Sequence, residues 1–354
     1  MCIRDSSYAL NTSRALDPDE YYVRNYAPFN ILHELENNSM DLTVVDLKFQ
    51  GELKWKPFKK VELAALGAYK HSATTQSHSI TDYSNQAWAY RAMDDATMRD
   101  ANPWLYTDPD VINSLPLSVL PVGGFYRETK YGMNSYDFRA SISYNDVFAE
   151  DHVINLFGGM QLTATDRSKT WFNGVGMQYD MGMLPSYDYL FFKQGKEENT
   201  QYYTVEETRA REVAFFATGT YSYKGRYTVN GTIRYEGSNK LGKSRSSRWL
   251  PTWNLSGAWN MHEEAFFEDL KPTLSNLTLR ASYSLTADRG PADVTNSHAV
   301  IGSYNPYRPF ASVGESGLQI VDLENSELTY EKKHEFNLGI DVGFLDNRIN
   351  LIVD

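Results

Sequence analysis

The fold is decided by residues 226–235, which read RYTVNGTIRY and alternate between polar side chains and apolar or small ones. This period of two places the odd-numbered side chains on one face of a β-strand and the even-numbered ones on the other. The runs before and after it, residues 213–222 and 249–260, repeat the alternation. Residues 213–259 therefore predict three consecutive strands, each with one apolar face and one polar face.

These strands are longer than a soluble sheet usually needs. Trp249 and Trp259 lie on one face, and a rise of ~3.3 Å per residue with a tilt of ~40° separates them by ~25 Å along a membrane normal. This separation is about the height of the apolar band of an outer-membrane barrel. Arg226 and Arg234 lie on the other face, where a water-filled lumen accepts charges that lipid does not. A soluble antiparallel sandwich remains the alternative for these three strands taken alone.

Composition excludes several classes of protein. Only 42% of the 354 residues are hydrophobic, and no apolar run reaches the ~18 residues of a transmembrane helix, which excludes a helical membrane protein. The aromatic content of 14% is high for a soluble domain and usual for a barrel with aromatic girdles. The net charge of −11 argues against nucleic acid as a partner, because phosphate binding requires a basic surface.

Continued along the chain, the alternation predicts ten strands arranged as five hairpins. The predicted strands are residues 41–55, 61–69, 134–144, 154–162, 213–222, 226–235, 249–260, 277–285, 335–344 and 349–353. Residues 8–38 show no sustained period and are predicted as loop, and residues 261–276 are predicted to hold one short helical turn.

The links between the predicted strands are short at one end of the sheet and long at the other. They are mostly short within hairpins and mostly long between hairpins, where the loops include residues 71–134, 166–212 and 287–332. A sandwich has no reason to collect its long loops at one end, whereas an outer-membrane barrel has short periplasmic turns and long extracellular loops. We therefore predict an all-β fold, an antiparallel transmembrane β-barrel that is incomplete in this sequence.

Motifs in the second half of the chain resemble those of a known family. Residues 234–238 read RYEGS, residues 248–252 read RWLPT and residues 257–259 read GAW. In this order they resemble the SusC/RagA group of TonB-dependent outer-membrane transporters, in which an Asp-Gly-Ser loop precedes a Phe-Pro-Ser strand start and a Gly-Trp strand end. Residues 277–284, 328–332, 336–341 and 344–349 are similar to the next strands of that family. The departures are mild: Glu236, Leu250 and Thr252 replace Asp, Phe and Ser.

The resemblance is specific over about residues 213–354 and looser over 21–212. It implies a large barrel occluded by an N-terminal plug, energised through the TonB complex and importing oligosaccharides or peptides beneath a SusD-like surface lipoprotein. We expect residues 1–354 to form one partial barrel domain, with the signal peptide, the plug and the C-terminal strands outside this sequence. Whether residues 1–6 are native sequence stays open.

The candidate substrate-binding residues are aromatic side chains in the predicted loops: Trp88, Trp104, Tyr106, Trp171 and Tyr187. Such rings could stack on sugar faces or on peptide side chains. They could equally pack loop against loop, and the sequence leaves both interpretations open. The long loops, which also hold Tyr304 and Tyr307, are predicted to dock the lipoprotein because Trp and Tyr are enriched in interface cores.

The sequence shows no catalytic, metal or cofactor motif. The seven histidines fall in no metal-ligand spacing, and the lone Cys2 supplies neither a disulfide nor a redox pair. The loop carboxylates Asp94, Asp95, Asp100, Asp108 and Asp110 could bind Ca²⁺, although a plain acidic loop is the favoured interpretation. We therefore predict that the protein is a transporter embedded in outer-membrane lipid and is not an enzyme. The alternatives are a siderophore-type TonB-dependent receptor and a secreted soluble β-sandwich that binds glycans.

Overall fold

The computed structural model describes residues 17, 19–198, 200–240, 248–288, 299–304, 317–325 and 331–354. Its strands are β1 Tyr22–Arg24, β2 Ala27–Phe29, β3 Asn38–Phe58, β4 Val61–Ile80, β5 Gly124–Phe148, β6 His152–Gln178, β7 Leu184–Pro185, β8 Tyr203–Tyr223, β9 Tyr227–Ser238, β10 Trp249–Asn260, β11 Leu274–Asp288, β12 Val300–Tyr304, β13 Gly317–Asp322, β14 Glu331–Phe344 and β15 Ile349–Val353. The α-helices are α1 Ile31–Asn37, α2 Asn85–Ala89, α3 Ala96–Ala101 and α4 Tyr189–Glu197, and 3₁₀-helices span Tyr179–Met181, Met261–Glu263 and Ala265–Leu270. Within the described ranges, no helix combines the length and apolar character needed to cross a bilayer.

Ten strands form one continuous antiparallel sheet in the order β15-β14-β11-β10-β9-β8-β6-β5-β4-β3, and the short β7 pairs with β6. The sheet is not closed, so β3 and β15 are its edges. The predicted ten strands, their order and the incomplete barrel are therefore confirmed. The Asn230-Gly231 pair lies inside β9, opposite Ser256 and Leu255, and forms no turn.

The register aligns the apolar faces of neighbouring strands across the sheet. One row of directly opposite partners runs through eight strands: Val61, Tyr144, Leu156, Gly219, Gly231, Leu255, Tyr283 and Phe336. A slip of one residue would exchange the two faces of a strand, so the alternation specifies this register. Val229 and Ile233 on the same face remain 49% and 51% exposed, which shows that the apolar face is a surface rather than a core.

Stacked aromatic pairs lie at the two ends of this apolar face on β9 and β10. Tyr227 and Trp259 stack at 6.1 Å between ring centroids, and Tyr235 and Trp249 stack at 5.0 Å. The first pair donates to Glu264 beyond the end of β10, from the Tyr227 hydroxyl at 2.5 Å and from Trp259 Nε1 at 3.3 Å. The arrangement matches the aromatic rims expected of a membrane-spanning barrel.

Four strands extend ten or more residues beyond a predicted end. The predicted loop 71–134 is wrong at both ends, because β4 continues to Ile80 and β5 begins at Gly124. The predicted loop 166–212 is likewise reduced to residues 179–202 by β6 and β8. In these extensions the face that is apolar elsewhere carries charges such as Arg211, which pairs with Asp166 at 2.6 Å. Both faces there meet water, so the alternation disappears although the hydrogen-bonded ladder continues.

Other predicted irregular segments also contain regular structure. Residues 8–38 were predicted as loop, but their described part holds β1, β2 and α1, with Asn30 capping the helix through Leu32 N at 2.9 Å. Residues 261–276, predicted to hold one short helical turn, contain two 3₁₀ segments and the start of β11. The loop 287–332 includes the small hairpin β12–β13. Residue Tyr307 and the motif residues 328–330 lie outside the described residues.

Candidate functional site

The long-loop end of the sheet carries a folded unit, which we call the cap and define as residues 19–37, 81–123 and 179–202. Two small apolar cores hold it together and join it to the ends of β4 and β5. One contains Ile80, Ala87, Leu120 and Phe125, and the other contains Tyr106, Val119 and Leu190. The loops are therefore a packed structure and not bare connectors.

Polar anchors join the segments of the cap to one another. The Arg91 guanidinium donates from Nε to the Leu120 carbonyl at 2.9 Å, from Nη1 to the Asp82 carbonyl at 3.2 Å, and also to the Gly123 carbonyl. The side-chain amide of Asn85 donates to the carbonyls of Arg24 and Pro28 at 2.8 and 2.9 Å. Each anchor satisfies backbone acceptors that a loop would otherwise leave without partners.

Helix α4 is held by a partly buried ion-pair cluster around Lys193. The Asp188 side chain caps the helix by accepting from Leu190 N at 2.8 Å. Lys193 Nζ pairs with Asp108, with Asp110 at 2.8 Å and with Glu197 at 3.4 Å. Burial alone would lower the pKa of Lys193, but its hydrogen bonds to Asp108 and Asp110 raise that pKa above the usual value. The hydrogen bond from Lys193 in turn lowers the pKa of Asp108.

This cluster bears on the calcium hypothesis. Oxygens of Asp108, Asp110 and Glu197 lie within 4.8 Å of one another, so the three residues form a possible cation site. The ammonium of Lys193 already pairs with all three carboxylates. Asp95 instead caps α3, accepting from Met98 N at 2.7 Å. The contacts match those of an acidic loop whose carboxylates pair with a lysine of α4.

Three of the five candidate aromatic residues take part in packing within the cap. Trp88 stacks on His33 of α1 with centroids 5.5 Å apart, and Trp104 lies 5.2 Å from Tyr90. Tyr106 is 6% exposed and donates to Glu197 Oε2 at 2.5 Å. Burial, followed by the hydrogen bond to Glu197, raises the pKa of the Tyr106 hydroxyl. Their direct contact with substrate stays a prediction, and their visible role is to order the loops.

The other two candidates, Trp171 and Tyr187, line a pair of neighbouring clefts. The cleft beside Trp171 has a volume of about 430 Å³, and the cleft beside Tyr187 has a volume of about 240 Å³. Asn173, Phe191, Phe192 and Tyr202 contribute to both clefts. We call this pair the aromatic clefts.

The rings of the aromatic clefts are arranged around Phe192. Its centroid lies 6.4 Å from Tyr187, 5.4 Å from Phe191 and 5.4 Å from Tyr202. Tyr187 is 74% exposed and Phe192 is 41% exposed, so ligands can reach both rings. Apolar rings with a few amide and charged groups are the usual lining of a site for small organic ligands.

Sequence reasoning missed Phe191, Phe192, Tyr202 and Asn173 as parts of this site. The signal for the first two was present, since Asp188 is a good N-cap residue and the run that follows it contains helix formers. Tyr202 and Asn173 meet only because the backbone amide of Asn173 donates to the Tyr202 carbonyl at 2.7 Å, where β6 and β8 begin to pair.

The open sheet, its apolar and polar faces and its capped end define the wall of a large membrane β-barrel. A family model described as "TonB dependent receptor-like, beta-barrel" matches residues 6–354. The chain therefore belongs to the TonB-dependent receptor-like β-barrel family, whose members are outer-membrane proteins. This finding confirms the family resemblance and the outer-membrane location predicted from the motifs.

Curated relatives agree with this assignment. TonB-dependent receptor P39 of Formosa agariphila is 28% identical over 62% of this chain and 20% of its own length. TonB-dependent receptor SusC of Bacteroides thetaiotaomicron is 31% identical over 43% of this chain and 15% of its own length. The chain thus matches a fifth or less of the length of these relatives.

Solved structures share the fold. The RagAB peptide importer in its 'open-open' state superimposes with a TM-score of 0.67 at 18% identity, over 95% of this chain and 32% of that chain. The RagAB peptide transporter gives a TM-score of 0.66 over 92% of this chain and 31% of that chain.

Proposed function

We propose that this chain is the barrel part of a TonB-linked transporter that imports oligosaccharides or peptides across the outer membrane. The observation that carries the proposal is the continuous ten-strand register, with an apolar face on one side, a polar face on the other and a folded cap at one end. The similarity to SusC and to RagAB supports the same activity. Substrate moves without covalent change, so we assign no catalytic residue.

Selectivity in this proposal lies in the cap and the polar face. The aromatic clefts offer Trp171 and Tyr187 for stacking, and Asn173 supplies an amide to both clefts. Trp88, Trp104 and Tyr106 contribute to selectivity indirectly, because they order the loops that frame these clefts. Both sugars and peptide side chains fit such a lining, so the substrate class spans oligosaccharides and peptides.

The proposal requires parts and partners beyond this chain. Residues 1–354 form one partial barrel domain, while the plug and the segment that contacts the TonB complex belong to other parts of the protein. A SusD-like lipoprotein covers the cap. Exposed apolar side chains support this partner, since Tyr187, Tyr189 and Ile112 on the cap are 74%, 73% and 92% exposed.

Uptake by cells that carry the full-length protein tests the proposed function. Labelled oligosaccharides and peptides should enter the periplasm, and uptake should stop when the TonB complex is inactivated. Trp171→Ala should reduce uptake, whereas Trp55→Ala, at an exposed tryptophan on the apolar face of β3, should change it little. Uptake that continues without TonB would refute the proposal.

A second experiment tests the partner. Tagged full-length protein should bring down a lipoprotein from solubilised outer membranes, and deletion of residues 108–116 from the cap should weaken this association while leaving the barrel inserted. If no lipoprotein is recovered with the intact protein, a siderophore-type receptor becomes the better assignment.

A further inference from the structure

Below the aromatic clefts, the polar face of the sheet carries two cations side by side on β6. Arg167 and Lys169 share the parity of Trp171, so all three side chains point to the polar face. They succeed one another at about 6.6 Å along the strand, which is the rise of two residues. A ligand that stacks on Trp171 therefore has Lys169 about 6.6 Å away and Arg167 about 13 Å away along the strand.

Hydroxyl groups surround these cations across four strands. Arg167 lies opposite Met133 on β5 and Thr208 on β8, and Met133 lies opposite Ser72 on β4. These residues and the next row form an open furrow of about 370 Å³, which we call the cationic furrow.

Among the described residues that line the furrow, the only carboxylate lies in the next row. Lys169 lies opposite Tyr131 and Glu206, and Tyr131 lies opposite Thr74. Lys169 Nζ pairs with Glu206 Oε1 at 3.3 Å. In the part of the chain that the structure describes, no carboxylate pairs with Arg167. Two cations against one carboxylate leave Arg167 available for an anionic ligand.

We propose that the cationic furrow binds the carboxylate of an acidic oligosaccharide, in which one uronic-acid unit stacks on Trp171 and another unit, further along the oligosaccharide, places its carboxylate at Arg167. The proposal deepens the proposed function and rests on it. A guanidinium matches a carboxylate with two parallel hydrogen bonds. Hydroxyl side chains of Ser72, Thr74 and Thr208 add uncharged donors and acceptors suited to sugar hydroxyls. The site discriminates by charge, because a neutral sugar leaves Arg167 without a partner.

Calorimetric titration of the full-length protein in nanodiscs tests this assignment, with trigalacturonate, maltotriose and tri-alanine with a free carboxylate as probes. Arg167→Gln should weaken trigalacturonate binding by ~10-fold or more, the effect of one charged hydrogen bond, and leave maltotriose binding unchanged. Arg167→Lys should retain part of the affinity, since it keeps the charge and loses the bidentate geometry. Trigalacturonate binding should also weaken as salt rises.

Arg209→Gln is the matched control, because Arg209 lies on β8 beside Thr208 but on the other face, where it pairs with Glu207 at 3.5 Å. It should leave trigalacturonate binding unchanged. Equal losses for Arg167→Gln and Arg209→Gln, or equal losses for the acidic and neutral sugars, would overturn the assignment. Binding of tri-alanine that depends on Arg167, without binding of trigalacturonate, would replace the acidic sugar by a peptide carboxylate. If the wild-type protein binds no oligosaccharide or peptide of any charge, the proposed function itself fails.

Discussion

Arginine substitutions on the two faces of β9 should differ sharply in cost. Gly231 lies midway between Tyr227 and Tyr235, the β9 members of the two stacked aromatic pairs. Val229 and Ile233 each lie two residues from it, which is ~5 Å from the midplane at a rise of ~3.3 Å and a tilt of ~40°. Arg on a lipid-facing barrel site costs about 2–4 kcal/mol at the midplane and about 0–1 near the interfaces.

Interpolating between these limits, Val229→Arg and Ile233→Arg should each destabilise the full-length barrel by about 1–3 kcal/mol. Thr232→Arg should cost less than about 1 kcal/mol, because the Thr232 hydroxyl lies on the polar face, 3.3 Å from the hydroxyl of Thr218. Equilibrium unfolding in urea, with the protein inserted in lipid vesicles, measures the three differences. Equal costs on the two faces would show that the lipid-facing and luminal sides were assigned wrongly.

Three further outcomes follow from the packing. The pKa of Asp108 is lower in the folded protein than its unfolded pKa of about 3.9, so its pairing with Lys193 stabilises the cap above that pH. This stabilisation is lost as the pH falls through the folded pKa, and pepsin should therefore cleave residues 179–202 faster below about pH 4. A pH response that survives in Lys193→Met would contradict this. Gly237→Ala places a Cβ 2.8 Å from the Trp249 ring and should shift tryptophan emission, whereas Gly231→Ala, with 3.9 Å to its nearest side chain, should not. The isolated chain should aggregate without detergent through the open edges of β3 and β15, and a soluble, cooperatively folding monomer would revive the β-sandwich.

The alternation specified the part of each of the ten main strands that lies in the apolar band, because one face there must be apolar and a period of two leaves one register. Beyond the apolar band that constraint ends. Residues 128–130 read Glu-Thr-Lys, for example, with Lys130 paired to Glu128 at 2.7 Å on the face that is apolar lower in β5. Nothing in such a run separates a strand from a loop, which is why β4, β5, β6 and β8 were predicted too short.

The cap could not be predicted from local pattern, because its contacts join residues far apart in the chain. Lys193 meets Asp108, and Tyr106 meets Glu197, only after two loops have folded against each other. Of the candidate aromatic residues, Trp171 and Tyr187 line the clefts. Trp171, Lys169 and Arg167 lie on the same face only because β6 continues to Gln178, which the sequence did not predict.

The central claim is that the period-two pattern separates lipid from lumen. Its most direct test is single-cysteine labelling of Ile233→Cys and Thr232→Cys in the full-length protein in vesicles, in a background whose other cysteines are replaced. A fluorophore at position 233 should be quenched by brominated lipid, and the thiol at position 232 should react with a water-soluble maleimide. Quenching at position 232 together with maleimide reaction at position 233 would contradict the assignment of both faces.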